Sequence, residues 1–296
     1  MDKQVEVGAN ARVEEHDHDG VHEIASDLAY KRLVMVNVCY YGVPGQDSWT
    51  LIDAGLPGSA QMIVNAAEDL FGKDVPPTAI IMTHGHFDHV GALETLASKW
   101  DVPIYAHRIE LPYLRGEASY PPPDPTVGGG MLAASAALYP RGPIDVSKWV
   151  QPFPEDGAVP GMPGWKWIHT PGHTEGHVSL WRESDRTIVA GDAFITTKQE
   201  SAYAVATQRP ELHGPPMYFT PDWVSAAASV RKLASLRPDL VVTGHGRALQ
   251  GPEMLRSLQT LARDFEKVAV PEHGRYVETP VNDSSPANSR QSPEPR

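Results

Sequence analysis

The chain reads as an α/β protein, and three observations predict it. Short apolar runs rich in Val, Ile and Trp alternate with stretches of helical period across its middle. With 296 residues, 41% of them apolar and 21% charged, it can bury a sizeable core as one large or two small domains. Finally, His and Asp stand directly after several apolar runs, where α/β architectures collect their sites.

Composition excludes several classes. No apolar run approaches the roughly 20 residues that span a bilayer. Met1–Val7 has no basic region leading into an apolar stretch, so the expected compartment is the cytoplasm. Cys39 is the sole cysteine, which rules out an internal disulfide framework and a multi-cysteine zinc site. A net charge of −12 argues against binding a phosphate backbone. The expected partner is a small-molecule substrate, with no nucleic acid and no membrane, and the oligomeric state stays open.

Taken in order, Leu33–Tyr41 and Trp49–Ile52 are strand-like, separated by the turn Gly42–Gly45. Ser59–Phe71 reads as a helix, with Met62, Ile63, Ala66, Ala67 and Leu70 on one stripe and Gly72 just beyond. Ala79–Met82 is a buried strand and Ala92–Trp100 the helix after it. Pro103–Ala106, Trp165–Ile168, His177–Trp181 and Thr187–Ala190 continue the strands. Pro221–Leu236 is a helix and Asp239–Val242 a strand. Glu253–Val268 closes the series as an amphipathic helix with Leu255, Leu258, Leu261, Ala262 and Phe265 inward.

The ends differ from this middle. Residues 1–30 hold eight acids and two bases, half of the whole net charge, so residues 1–24 read as an acidic N-terminal segment. His16-Asp17-His18-Asp19-Gly20-Val21-His22 resembles a metal site, yet it lies in that acidic stretch without flanking strands and reads as solvated. Residues 271–296, rich in Pro, Ser, Asn, Glu and Arg, read as a disordered tail, leaving 25–270 as the folded domain. Within it, 111–150, proline-rich and carrying Gly128-Gly129-Gly130, and 193–219 fit no element. Long irregular segments of this kind are commonly lids or binding loops. Both are expected to wall a pocket lined by Met131, Tyr203, Met217, Tyr218 and Phe219, with His213 as a further substrate contact.

The chemistry sits at strand ends. His84-Gly85-His86-Phe87-Asp88-His89 sets three imidazoles and a carboxylate directly after a buried strand. These are N/O ligands that suit zinc. In extended chain, His84 and His86 project to one side, and the following turn presents Asp88 and His89 elsewhere, so one loop could feed two neighbouring metals. His173, Asp192 and His245 each end or follow an apolar strand and complete seven candidate ligands.

Thr83–Gly91 followed by His173, Asp192 and His245, with Leu51-Ile52-Asp53-Ala54-Gly55 upstream, resembles the metallo-β-lactamase superfamily over about residues 25–270. The resemblance implies an αββα sandwich of two mixed sheets flanked by helices, with a binuclear metal site at the sheet edge. It implies that His84, His86 and His173 hold one metal, Asp88, His89 and His245 the other, and that Asp192 bridges them. Two divalent cations, Zn with Mn or Fe as alternatives, would lower the pKa of a shared water. Asp88 would orient the resulting hydroxide, and Asp53 would steady an imidazole N–H.

Departures narrow the branch. Asp192 stands where one β-lactamase subclass has Cys, and the all-His subclass lacks a bridging Asp. His86 stands where flavodiiron proteins carry Glu. The stretch after Asp192 lacks the glyoxalase II pattern, and Ile195 replaces the catalytic Tyr of acyl-homoserine lactonases, leaving Tyr203 and Tyr218 as the nearest phenols. The expected activity is hydrolysis of an ester, lactone or thioester. Alternatives are a phosphodiesterase of the same fold and a mononuclear iron thiol or persulfide dioxygenase.

Overall fold

The computed structural model describes residues 4–13, 16–18, 20–208 and 210–278. Among the described residues, strands β1 (Val5–Glu6) and β13 (Glu211–Leu212) form a two-stranded ribbon, and the others form two mixed sheets. The larger sheet runs in sequence order through β2 (His16–His18), β3 (Val21–Ala25), β4 (Leu28–Leu33), β5 (Val36–Tyr41), β6 (Thr50–Ile52), β7 (Ala79–Ile81), β8 (Ile104–Ala106) and β9 (Val150–Pro152). Its first five strands are antiparallel, and β6 to β9 are parallel. The smaller sheet has the order β10 (Trp165–His169), β11 (Val178–Arg182), β12 (Thr187–Val189), β14 (Leu240–Val242), β15 (Leu249–Gln250), with one parallel pair, β12 and β14.

Side-chain alternation along the strands builds the layers. Ile52, Ile81, Val189 and Val242 point into a shared core between the sheets with Leu28, Tyr30, Phe153, Met162, Trp165 and Leu180. Their neighbours Leu51 and Ile80 face the opposite side, against helices Ala60–Phe71 and Leu93–Trp100. Ile188 and Val241 likewise face helices Trp223–Ser235 and Gly251–Arg263. Helix, sheet, sheet, helix is the expected sandwich. Cys39 is buried in the inter-sheet core, which pushes its thiol pKa up.

Several expectations change. The run 33–41 is not one strand: the chain turns at Val34, whose φ of 64° and 76% exposure mark it as a hairpin corner. A β-branched residue at positive φ is an improbable turn residue, so the sequence concealed the corner. Met62 is exposed, with Val64 and Phe71 completing the buried stripe, and Met254 replaces Leu255 inside.

The acidic N-terminal segment contributes β1, β2 and β3, and His22 is buried with its ring stacked on Tyr30 at 4.8 Å. Backbone pairing recruits this stretch despite its charge. Residues 111–150 contain short helices at Leu111–Leu114 and Met131–Ala134. Within the expected tail, Arg275–Glu278 is a helical turn and Tyr276 is buried, its hydroxyl donating to Pro122 O. The remainder, 279–296, lies outside the described residues.

Candidate metal centre

Strand β7 ends at Ile81, and the chain then presents His84 and His86 before the short helix Phe87–Val90, whose first turn carries Asp88 and His89. His173 comes from the loop between β10 and β11, Asp192 leaves β12, and His245 leaves β14. All seven are buried. His84, His86 and His173 bring their ligand atoms within 4.8 Å of one another, as do Asp88, His89 and His245, and also His84, His89 and Asp192. The Asp192 carboxylate lies between the triads, 3.4 Å from His173 Nε2, 3.1 Å from His245 Nε2 and 3.6 Å from His89 Nε2.

Hydrogen bonds fix which ring nitrogens face inward. The Thr220 hydroxyl donates to Pro216 O at 2.8 Å, so it accepts from His173 Nδ1–H at 3.2 Å. The Thr83 hydroxyl donates to Asp53 Oδ2 at 2.8 Å and accepts from His84 Nδ1–H at 3.1 Å. His89 Nδ1–H donates to Asp53 Oδ2 at 2.8 Å, and His245 Nδ1–H to Met35 O at 2.6 Å. In these four rings the outer nitrogen holds a proton and Nε2 is left for the centre, whereas His86 turns Nδ1 inward and donates to His173 Nε2 at 2.8 Å. Asp53 supports this web at a φ of 61°, a conformation strained for a non-glycine residue.

Burial dominates the electrostatics. It lowers the His84 and His173 pKa values well below the usual range, reinforced by neighbouring imidazoles, and takes His86 down to about 3. His89 and His245 move up: burial opposes this, but Asp192, joined by Asp53 at His89 and Asp88 at His245, outweighs it. Burial alone would raise the Asp192 pKa; His245 and His89 hold it well below normal. Burial raises Asp88.

His84 Nε2, His89 Nε2 and Asp192 Oδ1 are buried without a hydrogen-bond partner. Three buried polar atoms without partners, two imidazole nitrogens and a carboxylate oxygen, are costly unless something cationic meets them. A divalent cation fits the donor set and would replace the protons drawn onto His89 and His245.

A model of the metallo-beta-lactamase superfamily matches residues 32–245. The chain belongs to this superfamily. It is 47% identical over 250 residues to the probable metallo-hydrolase YflN of Bacillus subtilis, spanning 84% of this chain and 92% of that relative. It is 26% identical over 147 residues to a hydroxyacylglutathione hydrolase, GloC, of Haemophilus influenzae, across 49% of this chain and 60% of that one. Among solved structures, TTHA1623 in a di-iron-bound form is 26% identical with a TM-score of 0.50, spanning 77% of this chain and 93% of that one. A B3 metallo-beta-lactamase, BLEG-1, matches the fold at 21% identity and a TM-score of 0.51, over 84% of this chain and 94% of that one. The chain is a metallo-hydrolase of this superfamily.

In this metallo-hydrolase the expected pocket residues divide. Phe219 stacks on His86 at 4.5 Å and, with Tyr218, Ala133 and Ala136, forms a small core that Phe87 and Tyr139 join. Met217 is buried as well. Met131 and Tyr203 are 70% and 78% exposed on short helices, so they give the site no buried lining. His213 is buried, its ring meets Glu211 Oε2 at 3.1 Å and its backbone bridges Ile195.

Further residues support the cluster. His177 Nε2 accepts from Asp192 N at 2.9 Å and fixes that backbone. Asn37 donates to Thr243 O and Gly246 O, pinning the His245 loop to β5. His107 is buried and stacked on His169 at 4.3 Å. Only His177, flanking a ligand, carried any sequence signal.

Proposed function

We propose that this chain hydrolyses a neutral carboxyl ester, lactone or thioester with two divalent metal ions, zinc in the working enzyme with Mn or Fe as substitutes. The observation that carries this reading is the pair of buried triads around Asp192, whose unpartnered atoms converge on one centre. His84, His86 and His173 would hold one ion, Asp88, His89 and His245 the other, and Asp192 both. When bound, such ions supply a Lewis acid for the acyl oxygen and a water acidic enough to attack near neutral pH.

The chain's own groups do the rest. Asp88, 3.5 Å from His245 Nε2, orients the attacking water and holds its proton on the carboxylate. Phe219, covering His86, keeps bulk water off that face. Water adds to the acyl carbon, Asp88 returns the proton to the departing oxygen or sulfur as the C–O or C–S bond breaks, and an ester or thioester yields an acid with its alcohol or thiol, a lactone a single hydroxy acid.

A phosphodiester would ask for Arg or Lys to meet its charge. Arg141 instead donates to Tyr120 O at 3.2 Å, and Lys148 pairs with Asp101 at 2.9 Å. The relative named as a hydroxyacylglutathione hydrolase supports keeping thioesters in the set. The test is metal analysis of the purified protein with a panel of lactones, thioesters, aryl esters and phosphodiesters. About two metals per chain and the best rates on an acyl substrate are expected. A metal-free active protein, or a phosphodiester as best substrate, overturns the reading.

A further inference from the structure

Glu110 begins the turn Leu111–Leu114 and is completely buried, yet among the described residues no Lys, Arg or His is a hydrogen-bond partner of it. Its Oε2 accepts from Gly85 N at 3.0 Å and from the Tyr120 hydroxyl. Its Oε1 accepts from the Thr174 hydroxyl at 2.6 Å and from Gly176 N at 3.1 Å. Four donors on one buried carboxylate is a demanding arrangement, and its position explains it. Gly85 lies between His84 and His86; Thr174 follows His173. One side chain therefore ties together the two loops that present the first triad.

The surrounding packing is fitted to this contact. A Cβ at Gly85 would lie 2.5 Å from the Tyr120 oxygen, and a Cβ at Gly176 would lie 2.7 Å from Glu110 Oε1. Larger residues at either position would push the loops off the carboxylate. The Tyr120 ring also packs on His86 at 4.6 Å and stacks on Tyr113 at 3.9 Å, closing the clamp from solvent. By contrast, the second triad takes support from Met35 O and Asn37, neither of which touches Glu110, while Asp53 reaches both triads, directly at His89 and through Thr83 at His84. The Glu110 contacts fall on the two loops of the first triad.

We propose that Glu110, assisted by Tyr120, is the positioning residue of the His84/His86/His173 triad and sets the metal affinity of that triad selectively. The inference rests on the proposed binuclear reading. Glu110→Gln keeps the shape but turns an NH2 group toward one pair of donors, so the two loops lose half of their tie. Tyr120→Phe removes one donor while retaining the ring on His86.

The test is titration of metal-stripped full-length protein with Co2+, followed by its visible absorption and by chelator competition, alongside near-UV circular dichroism. Wild type is expected to bind in two steps. In Glu110→Gln one step should weaken about 10- to 100-fold with the other unchanged. Tyr120→Phe should weaken the same step by less, and the double variant should fall short of the product of the single effects. Equal weakening of both steps, or no change in a folded variant, overturns the role of Glu110 alone. A wild type that takes up no Co2+ overturns the binuclear reading with it. Should Glu110→Gln fail to fold, an unchanged Co2+ spectrum and affinity in Tyr120→Phe refutes the clamp.

Discussion

Asp192 is the residue on which most of the site's charge balance turns. Its carboxylate faces His173, His245 and His89 and leaves Oδ1 unpartnered, while His177 fixes its backbone N–H. Converting it to Asn keeps the size, halves the acceptor capacity and removes the charge that offsets the proposed cations. Asp192→Asn is expected to bind the second metal at least about tenfold more weakly and to depress kcat in proportion. Metal content after dialysis and single-turnover rates measure both. Two retained metals with wild-type rates would make Asp192 a structural residue.

At the scale of elements, loops are held in place by the starts and ends of regular structure. The helix Trp223–Ser235 begins at Asp222, whose carboxylate accepts from Val224 N at 3.1 Å and Ser225 N at 3.0 Å, while its own N–H donates to Gly172 O at 3.3 Å. Two residues earlier, Thr220 meets His173. One cap therefore links helix start, ligand loop and imidazole. Asp222→Ala should cost about 1 kcal/mol of stability in urea unfolding. It should also loosen metal binding by the first triad more than by the second. An unaffected first triad would mean that Thr220 holds His173 without help from the helix.

For the whole molecule, buried neutral histidines set the response to acid. His107 is pushed down to about 4 by burial and by His169, and His86 and His177 down to about 3 chiefly by burial. In the unfolded chain these groups titrate near the ordinary 6.5. Below that pH the unfolded state binds protons that the native state refuses, so stability is present above about 6.5 and lost as pH falls toward 4. The metal-free protein should thus show a falling melting temperature across that window. His107→Gln, outside the metal centre, should flatten the slope; an identical slope would show that His107 is as readily protonated folded as unfolded.

The sequence alone singled out the seven residues that the fold clusters, because His-x-His-x-Asp-His after an apolar strand, with His and Asp at later strand ends, is a local pattern. It also determined the layered α/β character, since period-2 and period-3.6 patterns are written residue by residue. Tertiary structure decided what brings those ends together. Glu110, Thr220 and Met35 O lie far in sequence from the imidazoles they support, and none belongs to a motif. The hairpin corner at Val34 was hidden because packing holds a β-branched residue where local preference would not. The N-terminal strands were hidden because edge pairing satisfies backbone groups whatever charge the side chains carry. Only the fold could show that Met131 and Tyr203 face solvent while Phe219 covers His86: the direction of a loop side chain depends on what the loop packs against, and local sequence does not encode that.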